Sequence, residues 1–206
     1  MPKEQFHFSH SKEVSNKENS SITHDEWERQ ISRFLKLGFH TILGLPIKDY
    51  LSSIPRLQLR QDESAESFNR LIVVEPRIPP KLQLRLAGFY YHVDDTLVCQ
   101  AKTSEDPYIV LLQANDGRNL RDLQAPDENY PTIQEGASIL IAHPEVIDGP
   151  PIALLGSGVY SLEGDSIQGK IPCIYRWSDD RAGIGSDFLS YLVDENAQAA
   201  TCTRVY

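Results

Sequence analysis

Apolar side chains recur at helical spacing near the start of the chain. The spacing is i, i+4, i+7 and i+8, which places four side chains on one face of a helix. They are Trp27, Ile31, Phe34 and Leu35. Thr23 and Glu26 have the spacing of a capping box, and Gly38 stands where a helix C-cap is expected. The pattern predicts a first helix that begins at Thr23 and ends before Gly38.

Two further helices follow from local signals. Pro46 suits the first turn of a short helix that buries Ile47, Tyr50 and Leu51 and stops before Pro55.

The third predicted helix covers residues 132–142. Thr132 and Glu135 again form a capping-box pattern, and Pro144 ends the helix just after His143. Its apolar face consists of Ile133, Ala137, Leu140 and Ile141.

Short β-branched or alternating runs predict strands in the rest of the chain. They cover residues 71–74, 108–112, 152–155, 159–162 and 171–177. In the last run Cys173, Tyr175 and Trp177 share one face, and Ile174 and Arg176 share the other.

Three segments are harder to assign. The leucines of residues 82–86 fit a helix that opens at Pro80, but they also alternate at the period of a strand. Residues 188–193 fit a strand or a short helix. Residues 179–186 read as a loop, and Gly183 and Gly185 as turn residues.

These elements predict an α+β fold with a mostly antiparallel sheet from about residue 70 onward. The helix over 132–142 and the N-terminal helices pack against that sheet. We divide the chain into a disordered polar tail over residues 1–22, a helical region over 23–58 and an α+β domain over 68–206.

Charge and composition narrow the classes of function. The chain has 206 residues and a formal net charge of −9, whereas proteins that coat nucleic acid carry a basic excess. No apolar run approaches the roughly 20 residues that a membrane helix needs. Three cysteines form no CxxC pair, which favours reduced thiols. We therefore expect a soluble, cytoplasmic protein that binds neither nucleic acid nor membranes.

Seven short motifs follow one another in a fixed order along the chain. They are Pro107-Tyr108, Asp116-Gly117-Arg118, Thr132 with Glu135-Gly136, His143-Pro144-Glu145, Gly156-Ser157, Pro172-Cys173 with Trp177, and Thr201-Cys202 with Arg204. This ordered series resembles a bacterial family of unknown function, found mostly in actinobacteria.

The resemblance covers roughly residues 70–206 and implies a shared fold without an activity. Val159 departs from the family pattern where an Arg often follows Gly-Ser, and residues 184–198 depart where a Trp-rich, His-containing segment is usual. These departures argue against a catalytic role for the histidine that the family has and this chain lacks.

Cys202 is the candidate nucleophile. A catalytic cysteine needs a neighbouring positive charge or base to lower its pKa. Arg204 lies at i+2 on the same face of an extended chain, and His143 or His92 would have to approach from elsewhere in the fold. The competing interpretation of His143 is structural, because a histidine at a helix C-terminus interacts favourably with the helix dipole. Cys99 and Cys173 follow or alternate with apolar residues and are assigned to the core.

His92 and Asp94 are a candidate metal pair. On a strand they point to the same side, and imidazole and carboxylate are both metal ligands. The competing interpretation is a strand that runs into an Asp-rich turn. The glycine pairs at residues 156–158 and 183–185 lack the remaining residues of a phosphate-binding loop.

Two classes of function remain open. The first is a non-enzymatic binding or regulatory domain, in which the N-terminal tail and helix contact a protein partner. The alternative is a small-molecule hydrolase or transferase that uses Cys202 with a histidine, or a metal held at His92 and Asp94. The sequence identifies no cofactor or substrate.

Overall fold

The fold is described from a computed structural model. It describes residues 11–56, 70–93, 101, 103–113, 120, 129–163, 166–178, 180–194 and 197–206, and for residues 11–23, 159–168, 189, 193 and 194 only the backbone. Cys99, Asp94 and the Asp116-Gly117-Arg118 motif lie outside the described residues.

Six α-helices and nine strands are present in the described residues. The helices are α1 (Ser11–Lys36), α2 (Phe39–Ile42), α3 (Ile47–Ser53), α4 (Pro80–Leu86), α5 (Ile133–Ala142) and α6 (Leu189–Asp194). The strands are β1 (Arg70–Val74), β2 (Tyr90–His92), β3 (Tyr108–Gln113), β4 (Ile152–Ala153), β5 (Val159–Glu163), β6 (Ser166–Arg176), β7 (Ala182–Phe188), β8 (Gln198–Ala199) and β9 (Thr201–Val205). A 3-10 turn, Pro144–Asp148, follows α5.

The strands form two sheets. Sheet A has the order β1-β3-β9 and is antiparallel throughout. Sheet B has the order β2-β7-β6-β4-β8, with β5 also paired to β6. In sheet B the β2–β7 and β4–β8 pairs are parallel, and the other pairs are antiparallel. The predicted α+β class with a mostly antiparallel sheet is therefore confirmed.

Sheet A is covered on both faces, because successive side chains of a strand point to opposite faces and β1 is apolar at every position from Leu71 to Val74. Along β1, Ile72 and Val74 pack in one hydrophobic cluster, and Leu71 and Val73 pack in another. The second cluster contains the apolar face of α1 together with residues of α2 and α3. The predicted apolar stripe of α1 is thus buried against sheet A, with Phe34 fully inaccessible.

Helix α5 supplies the other cover of sheet A and also packs on sheet B. Ala137 and Leu140 share a cluster with residues of both sheets. Gly136 faces Leu154 and Ile184, and a Cβ at this position would collide with Leu154. A larger residue at position 136 would therefore require the Leu154 side chain to move.

The helix boundaries correct several expectations. Helix α1 begins at Ser11 instead of Thr23, so it includes residues 11–22, which the sequence predicts to be a disordered tail. The division of the chain into three regions stays a prediction. Gly38 adopts φ 75°, the left-handed conformation expected at a helix end, but α2 follows it directly and was not predicted. Ile47 is 51 % exposed, contrary to its predicted burial.

Both segments that fit either a helix or a strand by sequence are helices. Residues 80–86 form a helix with Pro80 in its first turn, and Leu189–Asp194 form a helix rather than a strand. The predicted loop over 179–186 is wrong, because β7 occupies residues 182–188. The strand was not predicted because it contains Gly183 and Gly185, and glycine is a weak strand former.

Candidate functional site

The N-terminus of α5 carries the capping box that the sequence predicts. The Glu135 backbone N–H donates to Thr132 Oγ1 at 3.3 Å, and the Thr132 backbone N–H donates to Glu135 Oε2 at 2.6 Å. Ser157, from the turn after β4, accepts a further bond from the Ile133 N–H at 3.0 Å. Together these bonds satisfy the backbone N–H groups of Thr132, Ile133 and Glu135 at the start of the helix.

Glu135 also forms a buried ion pair with Arg204. Arg204 Nε donates to Glu135 Oε1 at 2.6 Å, and Nη2 donates to Oε2 at 2.8 Å. Nη2 also donates to the Tyr130 carbonyl at 2.9 Å, and the Tyr108 hydroxyl donates to Glu135 Oε1 at 3.1 Å. The Glu135 side chain is fully inaccessible, and the Arg204 side chain is 8 % exposed. Each carboxylate oxygen therefore accepts two bonds, so the pair ties β9 to α5.

Tyr108 stays protonated in this cluster. Burial and the neighbouring Glu135 carboxylate raise the pKa of its hydroxyl. A protonated hydroxyl is a donor, which is what the Glu135 oxygen requires.

Cys202 is a core residue of sheet A. Its side chain lies in the cluster between the two sheets, and the residue is 2 % exposed. Its backbone N–H donates to the Asn129 carbonyl at 2.6 Å. Arg204 lies on the same face, as predicted, but its guanidinium is bonded to Glu135. Cys173 is fully inaccessible in a separate cluster, and burial raises the pKa of its thiol.

His143 lies at the opposite end of α5 from the Arg204 pair. It is the C-cap residue, as the sequence predicts. Its Nδ1 lies 3.2 Å from Glu145 Oε1, and its Nε2 lies 3.4 Å from Glu26 Oε1 of α1. At 1.5 Å per residue, the eight positions between Glu135 and His143 correspond to about 12 Å of helix. The structure therefore does not join His143 and Arg204 in one site.

The metal candidate is only partly described. His92 is exposed on β2 and pairs with Gly185 in the parallel ladder, and Asp94 lies outside the described residues. Within the described part of the chain, no group of three or more His, Cys, Asp or Glu side chains is arranged to hold a metal ion.

A second buried ion pair was missed by the sequence reasoning. Glu75, directly after β1, is fully inaccessible and accepts bonds from Arg77 Nε at 2.7 Å and Nη2 at 2.6 Å. Arg77 Nη2 also donates to Ser53 Oγ at 3.0 Å, and its guanidinium lies 5.7 Å from the ring centre of Tyr50. The spacing Glu-x-Arg at a strand end was the available signal. The pair joins α3 to the end of β1.

An aromatic surface lies on the outer face of sheet B. We define it as Tyr90, Tyr175, Trp177, Arg181 and Tyr191. The rings of Tyr175 and Trp177 lie 4.2 Å apart. The Arg181 guanidinium lies 5.0 Å from the ring centre of Tyr90 and 5.9 Å from that of Trp177. Tyr191 of α6 is near enough to Tyr175 to add to the effect of burial in raising the pKa of Tyr175. Ring and cation–π contacts therefore link Tyr90, Arg181, Trp177 and Tyr175, and Tyr191 lies near Tyr175.

Glycines in β7 make room for this surface. Tyr90 and Tyr175 flank Gly183 in the sheet register. A Cβ on Gly185 would lie 2.7 Å from the Tyr175 hydroxyl and 2.9 Å from the Trp177 ring. The rings thus lean directly over the β7 backbone. The sequence signal was the alternation that places Tyr175 and Trp177 beside Cys173, but this face leaves the core toward the end of β6.

Comparisons with known proteins add no relative to this description. No family model, curated protein or solved structure matches the chain. The likeness to an actinobacterial family stays an expectation from the motifs alone. Among the described residues, no helix combines the length and the apolar character needed to cross a bilayer.

Proposed function

We propose that the chain is a non-enzymatic binding or regulatory domain whose partner is another protein. The observation that carries this proposal is the aromatic surface on sheet B. Tyr90 is 50 % exposed and Tyr191 is 52 % exposed. Tyr, Trp and Arg are the residue types enriched at the centres of protein interfaces, where they contribute most of the binding energy.

The aromatic surface has the residue composition of a protein-binding site. Tyrosine and tryptophan present a large apolar area with few rotatable bonds, so little entropy is lost when they are covered. Stacking on Tyr90 and Trp177 holds Arg181 in place. The surface is therefore organised before a partner arrives, which lowers the cost of binding.

The N-terminal segment is the second proposed contact. The apolar face of α1 is used inside the molecule, through Trp27, Ile31 and Phe34. A contact of α1 with a partner would therefore involve its polar face and the residues before it. The net charge of −9 supports a partner other than nucleic acid. The buried thiols of Cys173 and Cys202 support our placement of the protein in the cytoplasm.

The alternative, an enzyme with Cys202 as nucleophile, has less support. Cys202 is 2 % exposed, and the guanidinium of Arg204 is committed to the carboxylate of Glu135. A nucleophile must reach its substrate, and a thiol in the core of a sheet does so only after the strand opens.

The test is a quantitative pull-down with two matched surface variants. Tyr90→Ser with Tyr191→Ser removes two exposed side chains of the aromatic surface. Ile42→Ser with Ile47→Ser removes two apolar side chains of similar exposure, 42 % and 51 %, from the α2–α3 region. We expect a partner retained by the wild type and by the isoleucine variant, and reduced at least about tenfold by the tyrosine variant.

Deletion of residues 1–22 forms a third arm and measures the contribution of the N-terminal segment. A partner that both surface variants retain, or that both lose equally, contradicts the assignment of the aromatic surface. Finding no specific partner of the wild type contradicts the proposed function itself.

A further inference from the structure

Helix α1 meets the C-terminal end of α5 at a joint of charged side chains. Arg29 of α1 donates to the Ala142 carbonyl at 2.7 Å and forms a bidentate pair with Glu26 of its own helix. His143 lies between Glu26 and Glu145, with Nε2 3.4 Å from the first carboxylate and Nδ1 3.2 Å from the second. Its side chain is only 12 % exposed. The imidazole is therefore enclosed by the docked helix.

The charges that face His143 already balance one another. Among the described residues they are Glu26 and Arg29 from α1, Arg70 from β1 and Glu145 from the 3-10 turn. Arg29 is paired with Glu26, and Arg70 donates to Glu145 at 2.8 Å. Two carboxylates and two guanidiniums leave no unmatched negative charge for an imidazolium.

We propose that His143 makes the docking of α1 depend on pH, so that acidification loosens the helix from sheet A. While α1 is docked, a proton on His143 adds a positive charge to an enclosed imidazole whose neighbouring charges already balance one another. When α1 moves away, the imidazole is hydrated and accepts the proton freely. Protons therefore favour the undocked state. This device goes beyond the binding function proposed above and does not depend on it.

The direction follows from linkage. Burial lowers the pKa of His143 below its ordinary value of 6.5, although Glu26 and Glu145 oppose that shift. Docking is then unaffected above the ordinary pKa and weakens as the pH falls from there toward the lowered pKa. Uptake of one proton limits the change to about tenfold in the docking equilibrium for each pH unit.

Undocking would uncover a specific edge of sheet A. Gln30 of α1 accepts from the Val73 N–H at 2.8 Å and donates to the Leu71 carbonyl at 2.6 Å. Those are the two bonds that one residue of a parallel strand would make with β1. Acidification therefore increases access to the edge of β1 that Gln30 covers, a position where another strand can pair.

The test uses the fluorescence of Trp27, whose indole N–H donates to the Pro55 carbonyl at 2.8 Å. The chain has two tryptophans, so Trp177→Phe leaves Trp27 as the only one. In the full chain with this change, urea titrations at about pH 7.5 and about pH 5.5 bracket the titration of a histidine. We expect the Trp27 midpoint to fall at the lower pH. With His143→Gln added, we expect no such fall.

His24→Gln is the matched control. His24 lies on the same helix beside Glu28, with 58 % of its side chain exposed, so its removal leaves the pH dependence in place. An equal fall with His143→Gln, or a rise of the midpoint in acid, overturns the proposal. Should His143→Gln not fold, an NMR titration of His143 in the parent protein decides the question, because a pKa at or above 6.5 contradicts it.

Discussion

The two sheets use similar residue types for different purposes. In sheet A the side chains of Tyr108, Cys202 and Arg204 point inward, and Tyr108 and Arg204 donate hydrogen bonds to Glu135 of α5. In sheet B the aromatic residues at the end of β6 turn outward, over a strand that glycines keep bare. Residues that resemble an active site thus serve the architecture of sheet A, and residues that resemble a core form the accessible surface of sheet B.

The two sheets differ because their faces are covered to different extents. Sheet A is packed on both faces, by α1–α3 and by α5, so any polar group there must find an internal partner. The outer face of sheet B is covered near Ile171 and Cys173, whereas Tyr90 and Tyr191 are about half exposed. Side chains at an open face need no internal partner and are available to bind.

The largest expected effect is the slow chemical labelling of the buried Cys202 thiol. Exposing it requires opening of sheet A, and if that costs about 5 kcal/mol, labelling slows by more than about a thousandfold relative to the unfolded chain. Mass spectrometry of the native protein treated with iodoacetamide measures the rate at each cysteine. Unfolding in urea provides the reference rate. Rapid labelling of Cys202 while Cys173 stays protected would instead support the enzymatic alternative.

The Arg204–Glu135 pair provides the next largest effect. Arg204→Met leaves a buried carboxylate without its counter-ion, which we expect to cost about 3–5 kcal/mol of the free energy of unfolding. The matched control is Arg176→Met, which breaks a pair with Asp148 whose side chains are 41 % and 67 % exposed, and which should cost only about 0–1 kcal/mol. Urea denaturation measures both values. Equal costs would mean that Arg204 does not tie sheet A to α5.

Substitutions at the two glycines of β7 are expected to have different effects, because Gly183 lies against the β2 backbone and Gly185 lies against surface rings. A Cβ on Gly183 would collide with the Tyr90 backbone of β2, so Gly183→Ala should cost about 1–3 kcal/mol. The nearest atoms to a Cβ on Gly185 belong to the side chains of Tyr175 and Trp177, which are only partly buried and can shift. Gly185→Ala should therefore cost less in unfolding free energy but alter the fluorescence of Trp177. The reverse order of costs would contradict our interpretation that Gly183 permits the close approach of β2 and that Gly185 permits only the approach of surface rings.

The sequence predicts what is local and misses what is brought together by the fold. The Thr132–Glu135 capping box was predicted because its bonds span three residues. Arg204 is 69 positions from Glu135, and no periodicity reports that contact. His143 was placed correctly at a helix end, but its approach to Glu26 of α1 depends on how two distant helices cross.

The strand β7 shows the same limit in another form. Gly183 and Gly185 predict a turn by propensity, yet the strand needs glycine there because β2 and two aromatic rings approach it closely. Local preference and tertiary contact favour opposite assignments, and the contact prevails. The aromatic surface was not predicted for this reason, since the strand beneath it, β7, was assigned to a loop.

The capping box of α5 gives the smallest effect and separates the two roles of Glu135. Thr132→Ala removes one acceptor at the helix N-terminus, which typically costs about 1 kcal/mol. Thr132→Ser keeps the hydroxyl and should restore most of that loss. Thermal or urea unfolding of both variants beside Arg204→Met measures the contrast. If Thr132→Ala lowered the free energy of unfolding as much as Arg204→Met, Glu135 would act mainly through the helix cap. The ion pair with Arg204 would then contribute less to stability than the capping box of α5.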